Sequence, residues 1–142
     1  MSMKHAYTFK VTWGDTDAAG IVFYPNYYKW MDQATAELFA HAGYPISKLF
    51  GEEKTGLPLL ETFCQFRSPS YFEDLIEVQS TVVEVKEKIF KVEHVFRKDG
   101  QVIASGYELR AYTSFSGSQP KAVPIPDPIR ELMTASHDVR VK

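Results

Sequence analysis

The chain of 142 residues holds one cysteine, Cys64, so no intramolecular disulfide can form and nothing points to an oxidising compartment. No apolar run approaches the ~18 residues that span a bilayer. Polar and charged residues interrupt the opening stretch MSMKHAYTFKVTWGDTD too often for the apolar core of a signal peptide. Neither sign of charge is in excess. Sixteen Lys and Arg against 18 Asp and Glu leave a net charge of −2, which argues against a nucleic-acid module built on a basic surface. The eight glycines nowhere form G-x-G, so a Rossmann fingerprint is excluded, and neither a Walker loop nor a G-x-S-x-G nucleophile elbow occurs. The four histidines lack zinc-ligand spacing, and one cysteine cannot complete a structural metal site. What remains for chemistry is carboxylates and backbone dipoles. The expectation is one cytoplasmic globular domain over residues 1–142, long enough to bury a sizeable core without staples.

What is present reads as α+β. Tyr7, Phe9, Val11 and Trp13 alternate with Thr8, Lys10 and Thr12, a period of two that predicts a half-buried strand over Tyr7–Trp13. After the turn-rich GDTDAAG the period changes. Tyr27, Trp30, Met31, Ala34 and Leu38 share one helical face from Pro25 to about Ala42, with Pro25 in the first turn and Gly43 as the stop. Residues Ile46–Gly56 read as a short helical turn and loop. From Pro58 to Phe115 the chain predicts four strands in meander. The first places Leu60, Thr62, Cys64 and Phe66 on one face, and the next two cover Leu75–Val85 and Ile89–Arg97. Asp99-Gly100 marks a tight hairpin, and the run Gln101–Phe115 places Ile103, Tyr107, Leu109 and Ala111 on one face. A short helix is expected at Asp127–Met133, with a frayed tail over about 134–142.

The stretch WGDTDAAGIVFYPNY, Trp13 to Tyr27, resembles the motif of the 4-hydroxybenzoyl-CoA thioesterase group within the hotdog-fold thioesterases. The likeness continues through YYKWMD and through SPSYFEDLIEV, Ser68–Val78. It implies a hotdog fold, a long central helix wrapped by a five-stranded antiparallel sheet, and hydrolysis of an acyl-CoA thioester at a site between subunits. Coenzyme A is then part of the substrate, and no metal or other cofactor is implied.

On its own, Asp17 reads as a turn aspartate; the resemblance makes it the catalytic carboxylate, as nucleophile or as general base for water. Asp15 is expected to order the loop. The helix start offers free N–H groups to a developing oxyanion, and since Pro25 has none, the donor is the backbone amide of Tyr24. Where related small acyl-CoA thioesterases carry a histidine, this chain has Tyr24, which resembles the aromatic-acyl branch. Asp32 is either a solvated helix acid or, as the resemblance implies, the group beside a phenol hydroxyl of the acyl moiety. Tyr27 and Trp30 either pack in the core or line an aromatic acyl pocket. Lys86 and Lys88, split by Glu87, are either an ordinary charged hairpin or contacts for the phosphates of coenzyme A. His94, on an apolar strand face, reads as a hydrogen-bonded core residue, and Glu61 is left without an assigned face.

One helix cannot cover five strands, and two long edges invite pairing with a second copy. A homo-oligomer is expected, a dimer at minimum and a tetramer as an extension, with acyl-CoA as the small-molecule partner and neither nucleic acid nor membrane. The rival readings are a short- or medium-chain acyl-CoA or acyl-carrier-protein thioesterase and a non-catalytic acyl-CoA-binding hotdog domain. A hotdog dehydratase is disfavoured because the loop offers no histidine.

Overall fold

The computed structural model of the chain describes residues 3–135 and 140–141. Strand β1 (Lys4–Lys10) turns His5, Tyr7 and Phe9 towards the core, the alternation the sequence dictates, but it stops before Trp13. The Thr12 N–H donates to Asp15 Oδ2 at 2.8 Å across a single 3-10 turn, Trp13–Asp15. This local bond competes with the strand ladder and swings Trp13 out to 75% exposure, where its ring meets Phe72 edge-on.

Helix α1 (Pro25–His41) follows the predicted stripe. Tyr27, Trp30, Met31, Ala34 and Leu38 are buried, joined by Thr35 and Phe39. Each large apolar side chain so covered contributes about 1.5–3 kcal/mol, so this face anchors the helix more firmly than propensity does. The helix ends in a Schellman motif: the Gly43 N–H donates to Ala40 O and the Tyr44 N–H to Phe39 O, with Gly43 at φ +92°.

There follow α2 (Ile46–Glu53), β2 (Thr55–Gly56), β3 (Leu59–Phe66), β4 (Leu75–Val85), β5 (Ile89–Lys98), β6 (Gln101–Ala111), β7 (Thr113–Ser114), β8 (Lys121–Ala122), α3 (Asp127–Thr134) and β9 (Arg140–Val141). The long strands form one antiparallel sheet in the order β1-β4-β5-β6-β3. The fold is the hotdog architecture, with α1 buried against that sheet. β2, β7 and β8 make a small separate sheet, and β9 pairs parallel with Glu84 and Val85 of β4. The remaining part of the tail expected to fray, 136–139 and 142, lies outside the described residues.

Two expectations are corrected. β4, β5 and β6 do run as a meander, with Asp99 and Gly100 at φ +51° and +79° in the β5–β6 turn, as a type I′ hairpin requires. β3, however, pairs with β6 at the far edge rather than with β4. The link 67–74 is too long for a tight turn and crosses from the edge strand β3 past β6 and β5 to β4. On the way Ser70 O accepts from Val22 N–H and Asp74 O from Val11 N–H.

The second correction concerns the faces of β6. Ile103 is an extra residue between the pairs Phe96–Ala104 and Arg97–Val102, a β-bulge. Beyond it, Ala104, Gly106, Glu108 and Arg110 are buried, while Tyr107 and Leu109 are only partly covered. Alternation counted through Ile103 therefore assigns the inner face to the wrong set. A similar shift at Leu60 of β3 leaves that side chain exposed, and Glu61 lies on the outer face, where its Oε2 accepts the Tyr107 O–H at 2.7 Å.

Candidate active site

The loop before α1 is a closed turn. Asp17 N–H donates to Ile21 O, Gly20 N–H donates to Asp17 O, and Gly20 takes φ +81°. The Asp17 Oδ1 accepts the Ala19 N–H at 2.8 Å, and its other oxygen, in an exposed carboxylate, has no partner among the described residues. Asp15 orders the same loop, as expected: its backbone oxygen accepts the Phe23 N–H and the Asn26 Nδ2–H, both at 2.8 Å. These two bonds tie the loop to the first turn of α1.

Tyr24 caps that helix. Among the described residues no acceptor takes its backbone N–H, and its side chain is 61% exposed. Beside it opens a cavity of about 300 Å3 lined by Ile21, Val22, Tyr24, Tyr27 and the turn Phe66–Pro69. The bulge at Ile103 shapes that turn, because the Ile103 carbonyl accepts both the Arg67 and the Ser68 N–H. An unsatisfied N–H at the positive end of a 17-residue helix, with a carboxylate in the adjoining turn, can polarise a carbonyl and attack its carbon.

A second cavity, of about 240 Å3, lies farther along α1 and is lined by Asp32, Thr35, Ala36, Ile46, Leu57 and Arg110. Its floor is a chain of hydrogen bonds reaching into the core. Arg110 Nη2 donates to Asp32 Oδ1 at 2.8 Å and to Glu108 Oε2 at 2.7 Å, and Nη1 donates to Leu57 O at 2.7 Å. Glu108 in turn accepts from the Thr35 hydroxyl and, at 3.1 Å, from His94 Nε2. A carboxylate can only accept, so His94 carries its proton on Nε2, and its Nδ1 lies 2.7 Å from Ser80 Oγ. Burial alone would raise the pKa of Glu108, but the hydrogen bonds from His94 and Arg110 and the charge of Arg110 outweigh it and hold the group at about 2. Burial likewise works against the Arg110 charge, and its bonds to Glu108 and Asp32 reverse that effect and raise its pKa. Among the described residues, no group of three or more His, Cys, Asp or Glu side chains is placed to hold a metal ion.

Residues 11–133 match the family model of the thioesterase-like superfamily. The chain belongs to the thioesterase-like superfamily. It is a thioester hydrolase of hotdog fold. Among solved structures it resembles a gentisyl-coenzyme A thioesterase, at 46% identity and a TM-score of 0.82, covering 89% of this chain and 99% of that one. Among curated proteins it is 26% identical to 4-hydroxybenzoyl-CoA thioesterase of Pseudomonas sp. (strain CBS-3), over 87% of this chain and 92% of the relative. It is 27% identical to 1,4-dihydroxy-2-naphthoyl-CoA hydrolase of Synechococcus sp. (strain WH7803), over 91% of this chain and 88% of that protein.

Within this thioesterase chain the sequence-derived residues fall into four places. Asp17 and Tyr24 share the loop-to-helix junction. Tyr27 and Trp30 are core residues in contact with one another, although Tyr27 also reaches the first cavity and holds Ser70 Oγ at 2.9 Å. Burial raises the pKa of the Tyr27 hydroxyl. Asp32 stands eight residues beyond Tyr24, about 12 Å along the helix, in the second cavity. Lys86 and Lys88 are not near Asp17 in the same chain. They follow β4, whereas the Asp17 loop is bonded to the residues preceding it, and an 11-residue strand spans about 35 Å. Lys86 Nζ lies 3.9 Å from Glu84. The cation at the first cavity is Arg67, which the sequence reading did not single out. Glu108 and Arg110 were missed as well. Charged residues at alternate strand positions look solvent-facing, and only their pairing on the inner face could have marked them. Cys64 is buried, and burial pushes its thiol up to about 11.

Proposed function

We propose that this thioesterase hydrolyses acyl-CoA thioesters whose acyl group is a hydroxylated aromatic ring. The observation that carries the reading is the Tyr24 N–H, which opens without an internal acceptor beside a cavity and next to the Asp17 turn. The thioester carbonyl oxygen takes a hydrogen bond from that N–H, reinforced by the α1 dipole. One preorganised donor of this kind contributes about 3 kcal/mol to the transition state. The Asp17 carboxylate then attacks the carbonyl carbon, or removes a proton from the water that does. The tetrahedral intermediate collapses by breaking the C–S bond, and coenzyme A leaves as thiolate. On the nucleophilic route the acyl–aspartyl anhydride is hydrolysed in a second step.

The acyl class is supported by the relatives, whose names all carry a phenolic aromatic acyl group. In this chain the cavity at Asp32 pairs apolar walls with one acceptor. Because a single chain holds the Tyr24 and Asp32 cavities apart, we read the working unit as a homodimer or higher oligomer, each site drawing Asp17 and Tyr24 from one copy and Asp32 from the other. The edge strand β3 offers the surface for this, with Leu59, Leu60, Phe63 and Phe66 exposed beside its unpaired backbone.

The test is thiol release from benzoyl-, hydroxybenzoyl- and short and medium aliphatic CoA thioesters by wild type and Asp17→Asn. The asparagine keeps an Oδ1 acceptor for the Ala19 N–H, so the turn survives. The expected result is a fall in kcat of at least about 100-fold with an unchanged melting temperature. Full activity in Asp17→Asn removes the assignment. Absence of turnover on every thioester favours the acyl-binding reading instead.

A further inference from the structure

We propose that Arg110 is a positioning residue that fixes the Asp32 carboxylate at the wall of the second cavity and thereby makes this thioesterase select acyl groups presenting a hydroxyl donor. The inference rests on the reading of Asp32 as an acyl contact and goes beyond it, to the residue that gives that contact its geometry.

The guanidinium is held from three sides. Nε and Nη2 face the two oxygens of Glu108 at 3.3 and 2.7 Å, and Nη1 is bonded to the Leu57 carbonyl. Glu108 is itself fixed by Thr35 and His94, and His94 by Ser80, with no buried side-chain polar atom lacking a partner among the described residues. The plane of Arg110 therefore cannot turn without breaking a satisfied network. The remaining Nη2 donor points to Asp32 Oδ1, while Asp32 Oδ2 has no partner among the described residues. The contrast in exposure is large: the Asp32 side chain is 70% exposed and that of Arg110 only 9%. An exposed carboxylate is thus tethered to a buried fork, with one oxygen bonded and the other open among the described residues.

Stability alone does not account for this arrangement. Burying an Arg–Glu pair is often no better than well-packed apolar residues of the same volume, because desolvation cancels the attraction. What the network does supply is a charged acceptor of fixed direction. An ionised carboxylate accepts hydrogen bonds and donates none, so Oδ2 welcomes a phenolic O–H and repels a carboxylate or an ether oxygen. Ile46, Leu57 and Ala36 supply the apolar walls for the ring. Lysine in place of Arg110 would retain the charge for Glu108, but a single ammonium lacks the planar fork that serves Glu108 and Asp32 together.

The experiment measures kcat/KM on the full chain for benzoyl-CoA and for its best-hydrolysed ring-hydroxylated counterpart. The proteins are wild type, Arg110→Lys, Asp32→Asn and the double variant. Dissociation constants of the matching phenacyl-CoA thioethers, which cannot be hydrolysed, give the same ratio without turnover. Arg110→Lys is expected to lower kcat/KM for the hydroxylated substrate about tenfold more than for the unsubstituted one, a size ordinary for loss of a site built to bond a substrate hydroxyl. In the Asp32→Asn background it is expected to change the ratio no further. If Arg110→Lys lowers both substrates by one factor, Arg110 is structural only and the proposal is overturned. Independent effects in the double variant overturn it too. If Asp32→Asn itself leaves the ratio unchanged, Asp32 is no acyl contact, and the underlying reading fails along with the inference. A wild type that binds neither thioether overturns both.

Discussion

Arg110 Nη2 lies 2.8 Å from Asp32 Oδ1 and 2.7 Å from Glu108 Oε2, so one nitrogen of strand β6 joins an exposed carboxylate on the helix to a buried one in the sheet. Removing the cation strands Glu108 beneath the helix. Arg110→Met is therefore expected to cost about 3–5 kcal/mol in urea unfolding, the range for a buried pair broken on one side. Glu108→Met combined with Arg110→Met is expected to recover much of that loss. A double variant no more stable than the single one would show that packing, not charge, sets the cost.

Acid should loosen the same network. Glu108 is held at about 2 in the folded chain against an ordinary 4.5. A depressed carboxylate stabilises the fold fully above its unfolded pKa and loses that contribution as pH falls towards the folded one. Stability is expected to decline between about pH 4.5 and 2, by up to about 3 kcal/mol. Urea midpoints measured across that window for wild type and Glu108→Gln check this, since the variant should lack that component of the slope.

Gly106 is required by space rather than by backbone angle. A Cβ there would fall 2.1 Å from Phe63 O and 3.1 Å from Met31 Sδ, where β6, β3 and α1 meet. Gly106→Ala must push β3 away or shift the helix, and is expected to destabilise by about 3 kcal/mol. A melting temperature within a degree of wild type would mean that β3 yields freely at this point.

The exposed edge of β3 gives a prediction about assembly. Leu60→Lys places a charge at the bulged position, where the native side chain is 54% exposed. Sedimentation at micromolar concentration is expected to show a dimer or larger assembly for the wild type and a shift towards monomer for the variant, with activity falling in parallel if sites are shared between copies. An unchanged mass would move the interface elsewhere.

Much of the architecture was legible because local chemistry and burial agree. The helix could be read from the spacing of Tyr27, Trp30, Met31, Ala34 and Leu38, and its end from Gly43. Asp99-Gly100 fixed the hairpin because both positions need positive φ. The misses share a cause. A single hydrogen bond from Thr12 to Asp15 ends β1 early, and a single extra residue, Ile103, inverts the faces of β6 beyond it. Both are one-residue events that periodicity averages away. The placement of Asp17 and Tyr24 in one junction was legible through their motif. The Glu108–Arg110 pair was not, because two charges spaced i, i+2 on a strand look alike whether they face water or the core. Lys86 and Lys88 are joined to the site by motif position alone, and within one chain the sheet sets them at the other end of β4 from Asp17.

The solitary thiol has a practical consequence. Cys64 is covered by its neighbours and its thiol is pushed up to about 11, so near neutral pH it presents almost no thiolate to a disulfide reagent. The protein thus supplies its own blank. When coenzyme A release is followed by colour, the signal counts product and not enzyme, and one equivalent of thiol per protein read before any thioester is added would mean that the fold has opened.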